Sequence, residues 1–133
     1  MNGQELKRKE ARNYLDLATE YFDGSKANVK KRYFRIAVDA GYNACELTMK
    51  GLLLLRLPNL PGSHGGIVTK FGELFVKTGE ISKELARAVH RALEKRNNAR
   101  YEPHAQITKQ DAEEIIDLSE QLQRILEKKL DKS

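Results

Sequence analysis

Residues 85–101 read LARAVHRALEKRNNARY. Turned at about 100° per residue, Ala88, Val89, Ala92, Leu93 and Ala99 fall within roughly 80° of Leu85, which is the period of an α-helix with one apolar face. Arg96 falls in the middle of that face, with Arg100 at its edge, while Arg87, Arg91 and Lys95 lie on the opposite side beside Glu94 and Asn98. A guanidinium does not lose its proton in a protein, so one placed on an apolar face is costly unless a carboxylate, a set of carbonyls or a phosphate answers it. Two readings stay open. Either Asp16, Asp39 or Glu46 supplies an internal counter-charge or the side chain snorkels at the helix end, or the arginine waits for an anion or RNA.

The same period runs outward in both directions. Leu6, Tyr14, Leu15, Ala18, Tyr21 and Phe22 predict a first helix over about 4–22, with Asp23-Gly24-Ser25 as its stop. A second helix is expected from Lys26 to about Arg56, with Tyr33, Ala37, Ala40, Ala44, Leu47, Gly51 and Leu55 on one face and Arg35, Asp39, Glu46 and Lys50 roughly opposite. Leu57-Pro58-Asn59-Leu60-Pro61-Gly62 ends it. Ser63 is placed to cap a short helix over about 64–76, Thr78-Gly79 breaks it, and Ser82 caps the next, which Pro103 terminates. Thr108 with Asp111 resembles a capping box for a last helix striped by Ile115, Leu118, Leu122, Ile125 and Leu126. The expected fold is all-α, an antiparallel up-and-down bundle of about five helices in one domain over 1–133.

Composition agrees with a helical bundle: 40% hydrophobic and 32% charged residues, three prolines and no tryptophan. Cys45 is alone, so no intramolecular disulfide forms, and with no leader pattern the chain reads as cytoplasmic. Its longest apolar run, Leu52–Leu55, is far short of the roughly 20 residues a membrane span needs. The net charge of +5, from 24 basic against 19 acidic residues, leans toward polyanionic partners without identifying one. His64, His90, His104 and Cys45 lack metal-ligand spacing, so neither a metal nor a cofactor is expected. Gly62, Gly65 and Gly66 around His64 read as tight-turn residues, because no P-loop lysine pattern follows. The basic groups at Lys7, Arg8, Lys9 and Arg12, and at Lys26, Lys30, Lys31, Arg32 and Arg35, read first as solvated helix faces.

The run Arg96-Asn97-Asn98-Ala99-Arg100-Tyr101 resembles the end of the penultimate helix in small prokaryotic HEPN domains. Ser63-His64-Gly65-Gly66-Ile67-Val68 through Phe71, Phe75-Val76-Lys77-Thr78-Gly79 and Ile81-Ser82-Lys83-Glu84-Leu85 are similar to the same families. Ala40-Gly41-Tyr42-Asn43-Ala44 and Lys50-Gly51-Leu52-Leu53 resemble their long second helix, so the likeness spans about residues 30–105.

The resemblance implies a symmetric homodimer in a toxin–antitoxin or nucleotidyltransferase-linked system. In active members an arginine and a histidine four to six positions later act across the dimer interface in metal-independent RNA cleavage. The arginine stabilises charge on the scissile phosphate, and the histidine moves a proton. Arg96 and Asn97 match the arginine and its polar neighbour. This sequence departs at the histidine: Tyr101 stands in the window, and His104 lies beyond Pro103. Tyrosine titrates near pH 10, which makes Tyr101 a weak base at neutrality. The expected site is therefore Arg96, Asn97, Tyr101 and His104, with Arg96 and Arg100 holding RNA or a nucleotide. The alternative is a non-catalytic module that binds a nucleotide or a partner protein, with Tyr101 as a target for a nucleotidyltransferase partner.

Overall fold

The computed structural model describes residues 2–132. Among these, the chain forms five α-helices and no strand: α1 (Gly3–Lys30), α2 (Phe34–Leu54), α3 (His64–Phe71), α4 (Lys83–Tyr101) and α5 (Lys109–Asp131). One π-helical segment, Gly72–Val76, continues α3. None of the helices is long and apolar enough to cross a membrane.

α2 is the central element. It packs against α1, α3, α4 and α5, and it is buried on nearly every side, from Ala37 and Val38 through Leu52, Leu53 and Leu54. Two glycines let its neighbours close in. A β-carbon on Gly51 would stand 2.7 Å from Leu126 Cδ2 and 3.2 Å from the Ala11 carbonyl oxygen, and one on Gly41 would stand 2.7 Å from Ile115 Cγ2. α1 and α5 therefore approach α2 at distances a side chain would forbid. The core joins these contacts to Phe71, Phe75, Ile81, Val89 and Ala92 from the α3–α4 side.

The caps are those read from the sequence. The Ser63 hydroxyl accepts from Gly66 N–H and the Ser82 hydroxyl from Leu85 N–H. Thr108 and Asp111 form a reciprocal capping box. Gly79, at φ +82°, makes the break between the α3 segment and α4.

The first helix boundary differs from expectation. α1 runs through Asp23-Gly24-Ser25 to Lys30, so Lys26 and Lys30 belong to α1 and not to α2. An interior glycine costs a helix about 1 kcal/mol against alanine, and tertiary contact outweighs it here: Ser25 is fully buried and donates from Oγ to the Ala37 carbonyl at 2.6 Å. The chain reverses at Arg32 (φ 64°). There Arg32 N–H donates to Val29 and Tyr33 N–H to Asn28, a Schellman ending with arginine where glycine is usual.

Three members of the two basic groups, Lys7, Arg8 and Arg35, serve as ties. Arg8 donates to the Lys129 and Leu130 carbonyls at the end of α5, and Lys7 donates to the Leu57 carbonyl. Arg35 gathers the carbonyls of Asn98, Ala99, Glu102, Pro103 and Ala105, which pins the end of α4 and its following loop to the start of α2.

Candidate active site around Arg96

Arg96 enters from α4 and is only 3% exposed, so the inward position on the helical wheel is also its position in the fold. Its nearest carboxylate is Asp39 of α2, with Nε 3.8 Å from Oδ1, and Arg100 Nε lies 3.4 Å from the same oxygen. Among the described residues neither Arg96 Nε nor Asp39 Oδ1 has a hydrogen-bond partner, although both atoms are buried. Unit charges about 4 Å apart attract by about 4 kcal/mol at an effective dielectric near 20, comparable to the several kcal/mol that burying a guanidinium costs. The pair therefore tolerates burial although Arg96 Nε and Asp39 Oδ1 go without a hydrogen bond. Asp16, the third carboxylate weighed as a counter-charge, is exposed on α1.

The other side of the guanidinium meets one neighbour from its own helix and one group from another. Nη1 donates to Asn97 Oδ1 at 3.0 Å, and Nη2 lies 3.4 Å from His64 Nε2. His64 is the first residue of α3, 32 positions upstream. Its Nδ1 is 2.6 Å from Oε1 of Glu46. Glu46 comes from the middle of α2, is 6% exposed, and accepts from the Tyr42 phenol at 3.3 Å. Lys50 Nζ is 3.9 Å from its second oxygen. A line of groups thus runs from a buried carboxylate through an imidazole to a buried guanidinium. Chemically it joins a proton carrier to an anion clamp.

Burial, reinforced by the neighbouring Glu46 carboxylate, raises the Tyr42 phenol well above its ordinary range, so it stays protonated and donates. Burial likewise pushes the Cys45 thiol up to about 12, leaving it unreactive.

The other residues named from sequence lie around this line. Tyr101 ends α4, is 66% exposed, and its ring lies 5.8 Å from the Arg96 guanidinium carbon. Asn97 is exposed apart from its bond to Arg96. His104 is exposed in the loop after α4, where it has no side-chain hydrogen bond among the described residues. The fold brings Arg96, Asn97, Arg100 and Tyr101 together, while no hydrogen bond or ion pair joins His104 to them among the described residues.

A family model described as the HEPN domain matches residues 11–129. The chain belongs to the HEPN family. Two relatives of this HEPN chain in Methanocaldococcus jannaschii carry the name "Putative toxin", MJ0142 and MJ0605. The first is 27% identical over 109 residues, covering 82% of this chain and 74% of the relative. The second is 30% identical over 109 residues, covering 82% and 80%. TT1696 from Thermus thermophilus, a crystal structure, has the same fold at a TM-score of 0.76 and 22% identity, over 90% of this chain and 98% of that one.

In this HEPN domain, sequence reasoning left His64 out of the site as a turn neighbour, and weighed Glu46, placed on an outward face, only as a counter-charge to Arg96. A signal for Glu46 existed. Val38, Tyr42, Met49 and Leu53 form a second apolar stripe on α2 with Glu46 at its edge, which marks a helix covered on both sides.

Proposed function

We propose that this chain is a toxin-type endoribonuclease that needs no metal, with Arg96 holding the scissile phosphate and His64 carrying the proton. The observation that supports it is the Glu46–His64–Arg96 line, which sets an imidazole nitrogen 3.4 Å from a buried guanidinium. In this reading His64, from a different helix, does the work of the histidine missing after Arg96. Nε2 takes the proton of a ribose 2′-hydroxyl, and the oxygen so freed attacks phosphorus and expels the 5′-oxygen. Arg96, with Arg100 at the rim, offsets the charge on the phosphoryl oxygens, and the leaving oxygen takes up a proton from solvent.

The protein acts in the cytoplasm as a homodimer. Exposed Tyr33, Ile36 and Tyr101 support this, since they stand where the start of α2 meets the end of α4. A nucleotidyltransferase-type partner then controls it through Tyr101, whose exposed ring lies beside Arg96.

The near-complete burial of Arg96 favours a second reading, a non-catalytic module in which half-exposed Arg100 and Tyr101 bind a nucleotide or a partner protein. One experiment separates the two: incubate mixed RNA in EDTA with the wild type and with Arg96→Met. Cleavage that disappears in the variant supports the nuclease. Intact RNA with the wild type ends that reading and leaves the binding module.

A further inference from the structure

We propose that Glu46 is a positioning residue: it fixes the proton of His64 on Nδ1 and so presents Nε2 to the Arg96 site as the nitrogen that exchanges a proton. The catalytic consequence rests on the reading of Arg96 and His64 as the reactive pair; the positioning itself does not.

Donor and acceptor counting carries the argument. An ionised carboxylate only accepts. Tyr42 reaches Glu46 Oε1 at 3.3 Å and must donate to it; His64 Nδ1 reaches the same oxygen at 2.6 Å and must donate as well. The guanidinium on the far side of the ring only donates, so Nε2, facing Arg96 Nη2 at 3.4 Å, is the acceptor of that contact. Two neighbours on opposite sides of one ring thus require the same tautomer. A plain ion pair would put a proton on both nitrogens and point the second N–H at a cation.

The carboxylate is also expensive where it is. At 6% exposure Glu46 sits in the interior of α2, and among the described residues Lys50 is the one lysine or arginine paired with it, 3.9 Å away and 29% exposed. A methionine there would fill similar space without the cost of burying a charge. The ring it holds has little freedom to turn, because α3 begins at His64 with Ser63 capping it. A β-carbon on Gly66 would stand 2.9 Å from Pro61, so this first turn is seated against the loop before it. When Nε2 takes a proton from a substrate hydroxyl, the O–H bond breaks, an N–H bond forms, and Glu46 already faces the imidazolium that results.

Long-range proton–nitrogen NMR of the nitrogen-15-labelled wild type, without substrate, tests the positioning. The expected spectrum shows His64 protonated on Nδ1 and bare on Nε2. A His64 with its proton on Nε2 overturns the proposal, whatever any variant does. Turnover is then measured for Glu46→Gln and Glu46→Asp beside their melting temperatures. Glutamine can donate as well as accept, so His64 loses its single tautomer and kcat falls about 10–100-fold with KM held; aspartate, which keeps the charge, recovers part of the loss. Unchanged kcat and tautomer in a folded Glu46→Gln also overturn it. If the wild type shows the expected tautomer but cleaves no RNA, the nuclease reading fails and the positioning by Glu46 stands.

Discussion

Two arginine–carboxylate clusters flank the α3 segment, and they are built in opposite ways. At one end Arg56 forks onto Glu80, donates to the Leu74 carbonyl at 2.9 Å, and lies 4.2 Å over the Phe75 ring. Lys129 reaches Glu80 at 3.2 Å and the same ring at 5.5 Å. These charges are a third exposed or thereabouts, and each is answered. At the other end Arg96 is buried, and among the described residues both its Nε and the facing Asp39 oxygen lack a hydrogen bond. Satisfied charge at a rim clips α5 to the π-helical segment. Charge left partly unsatisfied in the interior is a poor clip, and such a position is more often kept for function than for stability.

The largest effect expected from this contrast is on turnover. His64→Ala should lower RNA cleavage about 10²–10⁴-fold. Because the His64 side chain is 46% exposed, its melting temperature should stay within a few degrees of the wild type. Next come paired substitutions in the two clusters. Arg96→Met should lower cleavage about 10²–10³-fold while changing stability little, because Asp39 is 32% exposed and keeps Arg100 Nε at 3.4 Å. Arg56→Met should leave cleavage intact and lower stability by about 1–2 kcal/mol through the lost fork and ring contact. Urea unfolding measures both. If Arg56→Met were the silent one in stability and Arg96→Met the damaging one, the contrast would be wrong.

The smallest effect is in pH. Arg56's fork, with Lys129 beside it, draws the Glu80 carboxyl from 4.5 to about 2. A carboxyl lowered on folding adds stability above its unfolded value and loses it as pH falls through the folded one. The stability gap between wild type and Glu80→Gln should therefore be full above pH 4.5 and shrink between pH 4.5 and 2. It should also shrink in high salt, since the pair is partly exposed.

What the sequence made legible, and what it hid, follows one physical line. Periodicity found all five helices, though not the boundary between α1 and α2, and turned Arg96 inward, because both depend on neighbours three or four residues away. The caps at Ser63, Ser82 and Thr108 were readable for the same reason, being bonds within a single turn. Gly24 misled because its local cost is offset by Ser25 bonding to a carbonyl on another helix, a contact no local rule reports. Arg35 read as a solvated cation, yet it binds carbonyls more than 60 positions away. The partnership of His64 with Arg96 was hidden too, since two residues 32 positions apart on different helices share no local pattern. Tyr42, Glu46 and His64 lay within the stretch that resembles HEPN domains, but that likeness carried no assignment of roles.

The most direct test of the account is a kinetic cycle in EDTA with the wild type, His64→Ala, Arg96→Met and the double variant, all shown folded by circular dichroism. If the two side chains work as one unit, the double variant should be little worse than the more damaged single variant. Losses that multiply would show that His64 and Arg96 act independently, and would contradict a site built from the two together.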